Sequence, residues 1–130
     1  MRKILLALIV LNLAACAVVP TKEQVTKAKF GEKPDSEMAR EAIEDSLKKY
    51  FVAPDALEID CAEARKGWAK ELVDVPFRFG WVVYCQVSPK DQELRKKGGK
   101  PIVYVFEGNS LKMTNPYGVA REGREYGYLE

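Results

Sequence analysis

Phe77-Arg78-Phe79-Gly80-Trp81-Val82-Val83-Tyr84-Cys85-Gln86-Val87 is the stretch on which the fold turns. Phe77, Phe79, Trp81, Val83, Cys85 and Val87 fall on one side of a two-residue period, with Arg78, Gly80, Val82, Tyr84 and Gln86 on the other. Successive strand side chains point to opposite faces, so the alternation predicts a long β-strand with one decidedly apolar face. Downstream, Ser88-Pro89-Lys90-Asp91 begins a polar connection that runs through Gly98-Gly99. Residues 102–106 are all branched or aromatic and predict a second strand. Glu107-Gly108-Asn109-Ser110 has the composition of a tight turn, so residues 111–114 are expected to return as the other arm of a hairpin.

Upstream, Leu57, Ile59 and Cys61 alternate with Glu58, Asp60 and Ala62, the period of a half-buried strand. Residues 64–76 have no clear period and are expected to form a loop or a divergent hairpin. Before them, Ala39, Ile43, Leu47 and Tyr50, flanked by Ala42 and Phe51, recur at the spacing of one helical stripe. Asp35 or Ser36 can cap this helix, Glu37, Glu41 and Glu44 lie toward its positive end, and Lys48 and Lys49 occupy its last turn. Pro54 prevents its continuation. One helix followed by strands on short loops predicts an α+β domain, with an N-terminal helix packed on an antiparallel sheet of three to four strands. Parallel crossovers would need intervening helices that the pattern lacks.

The N-terminus has a different character. Met1-Arg2-Lys3 is basic, residues 4–11 are uninterrupted aliphatic, and Asn12 precedes Leu13-Ala14-Ala15-Cys16. Basic, apolar and small-residue regions in that order mark an export signal. The apolar run is far shorter than the roughly 20 residues that a membrane-spanning helix needs. Leu13-Ala14-Ala15-Cys16 resembles the lipobox of bacterial lipoproteins. The resemblance implies cleavage before Cys16, a diacylglyceryl group on its thiol and acylation of the new amino terminus, with palmitate the expected chain. An ordinary secretory signal with an incidental cysteine is the alternative. Ala17, in place of the aspartate that favours inner-membrane retention, points to the outer membrane. Residues 1–15 are thus expected to be a signal peptide, 16–34 a lipidated flexible tether and 35–130 a single domain. A short helix around residues 22–29 is an alternative within the tether.

Assigning Cys16 to lipid leaves Cys61 and Cys85 of the three cysteines, both on the apolar phase of a predicted strand. In an oxidising compartment they can form a disulfide, and two buried free thiols are the alternative. No Cys-x-x-Cys spacing is present to favour a redox-active pair.

Composition narrows the chemistry. The chain has 130 residues and no histidine, which removes imidazole as base, proton shuttle or zinc ligand. Its net charge of +2 gives no electrostatic case for nucleic acid. Removal of Arg2 and Lys3 with the signal takes the 21 basic residues to 19, equal to the 19 acidic ones. No phosphate loop or metal-ligand cluster is apparent, and no cofactor is expected. Asp60, Glu63 and Asp74 are acidic residues that could form a carboxylate pair for hydrolysis, although a chain so rich in acids offers many such pairs.

Two features can serve recognition. Arg95-Lys96-Lys97-Gly98-Gly99-Lys100 is the sharpest basic run and can contact an anionic lipid or cell-wall polymer, or form a solvated loop. Trp68, Tyr84, Tyr104, Tyr117, Tyr126 and Tyr128 do not all fit one core. With the helix on the Trp81 face, Val82, Tyr84 and one face of the last hairpin would form an exposed patch. Tyr84, Arg95, Lys96 and Lys97 are therefore the candidate partner-binding residues.

The lipobox, the single helix, and Gly80-Trp81-Val82-Val83 leading through Val87-Ser88-Pro89-Lys90-Asp91 to Gly98-Gly99 together resemble small uncharacterised bacterial lipoproteins. Pro89 and Asp91 stand where that pattern favours alanine and asparagine, and Lys100-Pro101 replaces an aromatic-containing continuation. The resemblance implies a fold and a compartment and transfers no catalytic residue. The expectation is a cell-envelope lipoprotein facing the periplasm, a non-enzymatic module that binds an envelope protein or cell-wall polymer. Inhibition of a cell-wall hydrolase is one alternative and a carboxylate-dependent hydrolase is another.

Overall fold

The computed structural model describes residues 19–70, 77–96, 98–115 and 120–129. The signal segment, Cys16, Asp74, Lys97 and Tyr117 lie outside the described residues. The fold is α+β and is organised around the stretch that alternates most strongly, β3 (Arg78–Pro89). One edge of β3 is shared end to end by two short strands. β1 (Leu57–Cys61) pairs with its C-terminal half and β2 (Arg65–Ala69) with its N-terminal half, both antiparallel. Ala62 N–H donates to the Tyr84 carbonyl at 2.8 Å and carries the ladder across the junction between β1 and β2. Along the other edge run β4 (Lys100–Glu107) and then β5 (Ser110–Asn115), a hairpin whose turn holds Gly108 at φ 58°. β6 (Tyr126–Tyr128) lies against β2, giving a six-stranded sheet of order β5-β4-β3-β2-β6, with β1 on β3.

The sheet thus has six strands rather than the expected three to four. The two unforeseen strands are β2 and β6, and each has a physical reason for its faint signal. In β2, Arg65-Lys66-Gly67-Trp68-Ala69, two positions are charged and a third has no side chain. β6 is only three residues long, too short for periodicity to register.

Among the described residues three α-helices accompany the sheet: α1 (Lys22–Lys27), α2 (Ser36–Tyr50) and α3 (Gln92–Arg95). α2 is the expected amphipathic helix. The Asp35 carboxylate caps it, accepting from the amides of Glu37 at 3.0 Å and Met38 at 3.2 Å. The side-chain oxygen of Asn109, in the hairpin turn, accepts the Asp35 amide at 2.8 Å and ties the helix start to the sheet. Ala39, Ile43 and Leu47 of α2 bury against Val83, Cys85, Val87, Ile102, Tyr104 and Phe106. This is the face on which the sequence places the core.

The opposite face is also buried. Ala69, Val82, Val103, Val105, Met113, Ala120 and Tyr126 form a second apolar cluster there, with Val82 and Val105 fully excluded from solvent. The expectation that Val82 and the hairpin would form an exposed patch is therefore corrected: the sheet has a core on each side. Two cores also account for the aromatic residues that one core could not hold. Trp68 and Tyr104 are buried, Tyr104 within the α2 side, while Tyr126 is buried in the second cluster.

The segment expected to be a free tether ends in a docked stretch. Phe30 meets Phe79 edge to face with ring centroids 6.4 Å apart, the Trp81 indole N–H donates to the Gly31 carbonyl at 3.1 Å, and Pro34 is buried. α1, within the same segment, is closed by a capping box between Thr21 and Gln24.

Candidate functional site

Tyr84 lies on the second face of β3, in phase with Val82, and three other strand residues converge on it or its neighbours. Its ring stacks at a tilt on Tyr126 with centroids 5.6 Å apart, and Tyr126 meets Tyr128 edge to face at 5.6 Å. The Arg65 guanidinium carbon sits 4.0 Å above the Tyr128 ring. On the other flank, the Gln86 amide donates to the Tyr84 hydroxyl at 2.6 Å. Each stacked pair contributes about 0.5–1.5 kcal/mol beyond burial, and an exposed cation–π contact about 0.5–1 kcal/mol. The group is consequently held as a unit rather than as independent side chains.

Burial across this unit is graded. Tyr126 is buried, Tyr84 and Tyr128 are half-buried, and Arg65 and Gln86 are exposed. Desolvation pushes the Tyr126 phenol up to about 12, reinforced by neighbouring Tyr128, Glu122 and Tyr84. Burial also raises Tyr128, against the opposing effect of Arg65. These tyrosines therefore stay protonated at neutral pH and act as hydrogen-bonding rings, not as bases. A buried aromatic anchor with half-exposed rings and a planar polar rim is the composition found at the centre of protein interfaces.

The basic run is placed elsewhere. Arg95 belongs to α3, a single turn in the connection after β3, capped by the Asp91 carboxylate. It pairs with Glu58 of β1, and Lys96 pairs with Glu93 at 3.1 Å. Both cations are thus committed to local carboxylates, and the structure does not join them to the Tyr84 unit. Lys97 lies outside the described residues. The run was readable as a charge cluster, but its partner Glu58 is distant in sequence.

Cys61 and Cys85 form a disulfide and stand directly opposite each other in the β1–β3 register, with Cα atoms 4.0 Å apart. Ala62 and Tyr84 exchange the adjacent ladder bond, so the cysteines occupy the close, non-hydrogen-bonded type of pair. Cys85 is buried in the α2-side core, whereas Cys61 is exposed at the end of β1.

Of the acidic candidates, Asp60 and Glu63 are exposed and Asp74 lies outside the described residues. The Lys33 ammonium, hydrogen-bonded to Glu63, holds that carboxyl below its ordinary range. A general acid needs the opposite shift. No group of metal-ligating side chains occurs among the described residues.

The sequence singled out Tyr84 but not its assembly with Arg65, Tyr126 and Tyr128. The available signal was Tyr126-Gly127-Tyr128, whose two rings share one face if the segment is a strand. No protein-family model, curated protein or solved structure matches the chain.

Proposed function

We propose that the chain is a bacterial cell-envelope lipoprotein, anchored through lipid on Cys16, whose small α+β domain binds an envelope protein without catalysing a reaction. The lipobox-like Leu13-Ala14-Ala15-Cys16 after a basic and aliphatic start supports the anchor and, with Ala17, the outer membrane. The disulfide supports an oxidising compartment. The observation that carries the binding reading is the Tyr84–Tyr126–Tyr128 unit with Arg65 across Tyr128. Tyrosine and arginine dominate the residues that contribute most to protein association.

Fractionation tests the anchor. The wild-type protein should partition with membranes and require detergent for release, whereas Cys16→Ser should remain soluble; the same distribution for both would reject lipidation. For binding, the lipidated protein and an Arg65→Glu, Tyr128→Ser variant are compared as baits in detergent-solubilised envelope. A partner retained by the wild type and lost from the variant supports the reading. A partner retained equally by both removes this face from it.

A further inference from the structure

Apart from the basic run, four cations from four different segments line one groove. Lys29 precedes the docked stretch, Lys49 lies in the last turn of α2, Arg78 begins β3 and Lys112 belongs to β5. The groove has a volume of about 730 Å³. Phe77, Phe79, Leu111 and Met113 contribute its apolar lining, and no carboxylate lines it among the described residues.

Lys27, Lys33, Arg40, Lys48, Arg95, Lys96 and Arg121 each have a carboxylate partner within an ion pair. Even Lys48, adjacent to Lys49, pairs with Asp45. None of the four groove cations joins an ion pair among the described residues. Lys22, Lys66, Lys70, Lys90, Lys100 and Arg124 also join no ion pair among the described residues, so what sets the groove apart is that four such cations gather in it. Lys49 and Lys29, in the last turn of α2 and just past the C-cap of α1, gain something from helix carboxyl termini, but Arg78 and Lys112 have no helix end to serve. The mature chain is electrically balanced, so an attraction for anions here arises from charge placement and not from net charge.

We propose that this groove binds the phosphate headgroup of an anionic phospholipid, with the apolar lining accepting the first part of the acyl chains. Charge selects the phosphate, and the adjoining aromatic and aliphatic surface selects an amphiphile over a free ion. Lys29 is thirteen residues from Cys16, a separation of at most about 45 Å even when fully extended. That proximity to a bilayer rests on the proposed anchor; the groove and its chemistry do not. Cations near an anionic membrane surface strengthen association roughly fivefold each.

The test uses a chain beginning at Ala17, which keeps every described element and has no anchor. It is mixed with vesicles of phosphatidylcholine alone or with phosphatidylglycerol, and sedimented. Binding should require phosphatidylglycerol and weaken as salt rises. Lys49→Glu with Lys112→Glu should lower vesicle affinity at least tenfold. The charge-matched control, Lys90→Glu with Lys100→Glu at the other end of β3, should change it less than twofold. Unaltered circular dichroism and melting would establish that both variants fold. Equal losses in the two variants, or no binding by the wild type, would overturn the proposal. Inorganic phosphate at matched ionic strength provides the last arm: displacement from vesicles by millimolar phosphate would assign the groove to free phosphate and reject the lipid. Because no anchor is present, failure here is separate from failure of Cys16 lipidation.

Discussion

Gly67 of β2 stands directly opposite Gly80 of β3, and neither position has room for a side chain. A Cβ on Gly80 would lie 2.4 Å from the Phe106 carbonyl oxygen, and one on Gly67 would lie 2.2 Å from that of Gly127. Both obstacles are backbone, on the strands flanking the pair. The strands approach each other closely at this point, and Tyr126 of β6 reaches across β2 to Tyr84 of β3. The paired glycines thus permit the close approach of β4 and β6 to the β2–β3 pair.

Gly80→Ala should consequently destabilise the domain by about 2–3 kcal/mol, the range for overpacking a close-packed interior. Chemical denaturation would show a lowered midpoint. The Tyr84–Tyr126 contact should loosen at the same time, visible as altered near-ultraviolet circular dichroism from tyrosine. Wild-type stability in Gly80→Ala would mean that the strands separate at no cost, and that the glycine pair does not govern their approach.

Removing the Cys61–Cys85 bridge tests a different constraint. The bond closes a sequence separation of 24 residues. In the chain-entropy account such a loop stabilises by about 3.5 kcal/mol. A Cys61→Ser, Cys85→Ser variant should lose about that amount, compounded by the hydroxyl left in the core at position 85. Reduction of the wild type without substitution separates the two contributions. Alkylation without reductant should modify neither cysteine of the folded or the unfolded oxidised chain; labelling of both would show that the bridge is absent.

The parts of the fold legible in the sequence are those where burial on one side imposes a period. β3 alternates because Trp81, Val83, Cys85 and Val87 face α2, and α2 has its stripe because Ala39, Ile43 and Leu47 meet them. The alternation says nothing about whether Val82, Val103 and Val105 on the other phase are covered, and they are covered by segments that carry little pattern of their own. β2 hides its strand character because Lys66 contributes its ammonium, 5.5 Å from the Phe30 ring and 5.6 Å from that of Trp81, instead of an apolar group. Of the candidate unit, Tyr84, Tyr126 and Tyr128 were legible as surplus aromatics and Tyr84 alone as a candidate contact, but their assembly was not. The unit's other members are brought in by pairing between β2 and β6, a long-range contact rather than any local spacing.

Tyr104 gives the stability an alkaline limit. Burial pushes its phenol up to about 12, an effect that the neighbouring Thr114 side chain across the β4–β5 pair partly offsets. The ordinary tyrosine value is about 10. Below that value the phenol is protonated in both folded and unfolded chains, and its contribution is fully present. As pH rises toward 12 the unfolded chain releases its proton first, so stability falls by about 1.4 kcal/mol per pH unit from this group. Absorbance at 295 nm should show a late-ionising population that loses one tyrosine in Tyr104→Phe and keeps the contribution of Tyr126, and the stability of that variant should decline less steeply over the same interval. A phenol at position 104 that titrates near 10 in the folded protein would reject the assignment.

Trp81 should decide how freely the domain moves relative to its N-terminus. Its indole N–H holds the Gly31 carbonyl, and the Gly108 amide in the hairpin turn donates to the Phe30 carbonyl at 3.2 Å. These bonds fasten residues 30–31 to adjacent points of the sheet, Trp81 of β3 and the turn that follows its partner Phe106, so the free reach of a chain anchored at Cys16 is set by the residues before them. Trp81→Phe keeps an aromatic ring but removes the donor, at a cost of about 1 kcal/mol. The expected result is faster hydrogen exchange at the Gly108 amide and faster tryptic cleavage after Lys29, with exchange in β4 changed only by the small loss of global stability. Cleavage of the native wild type after Lys29 as rapid as in the denatured chain would show that the segment is not docked. Equal acceleration at Gly108 and throughout β4 would instead show that Trp81 supports the whole sheet and has no particular hold on residues 30–31.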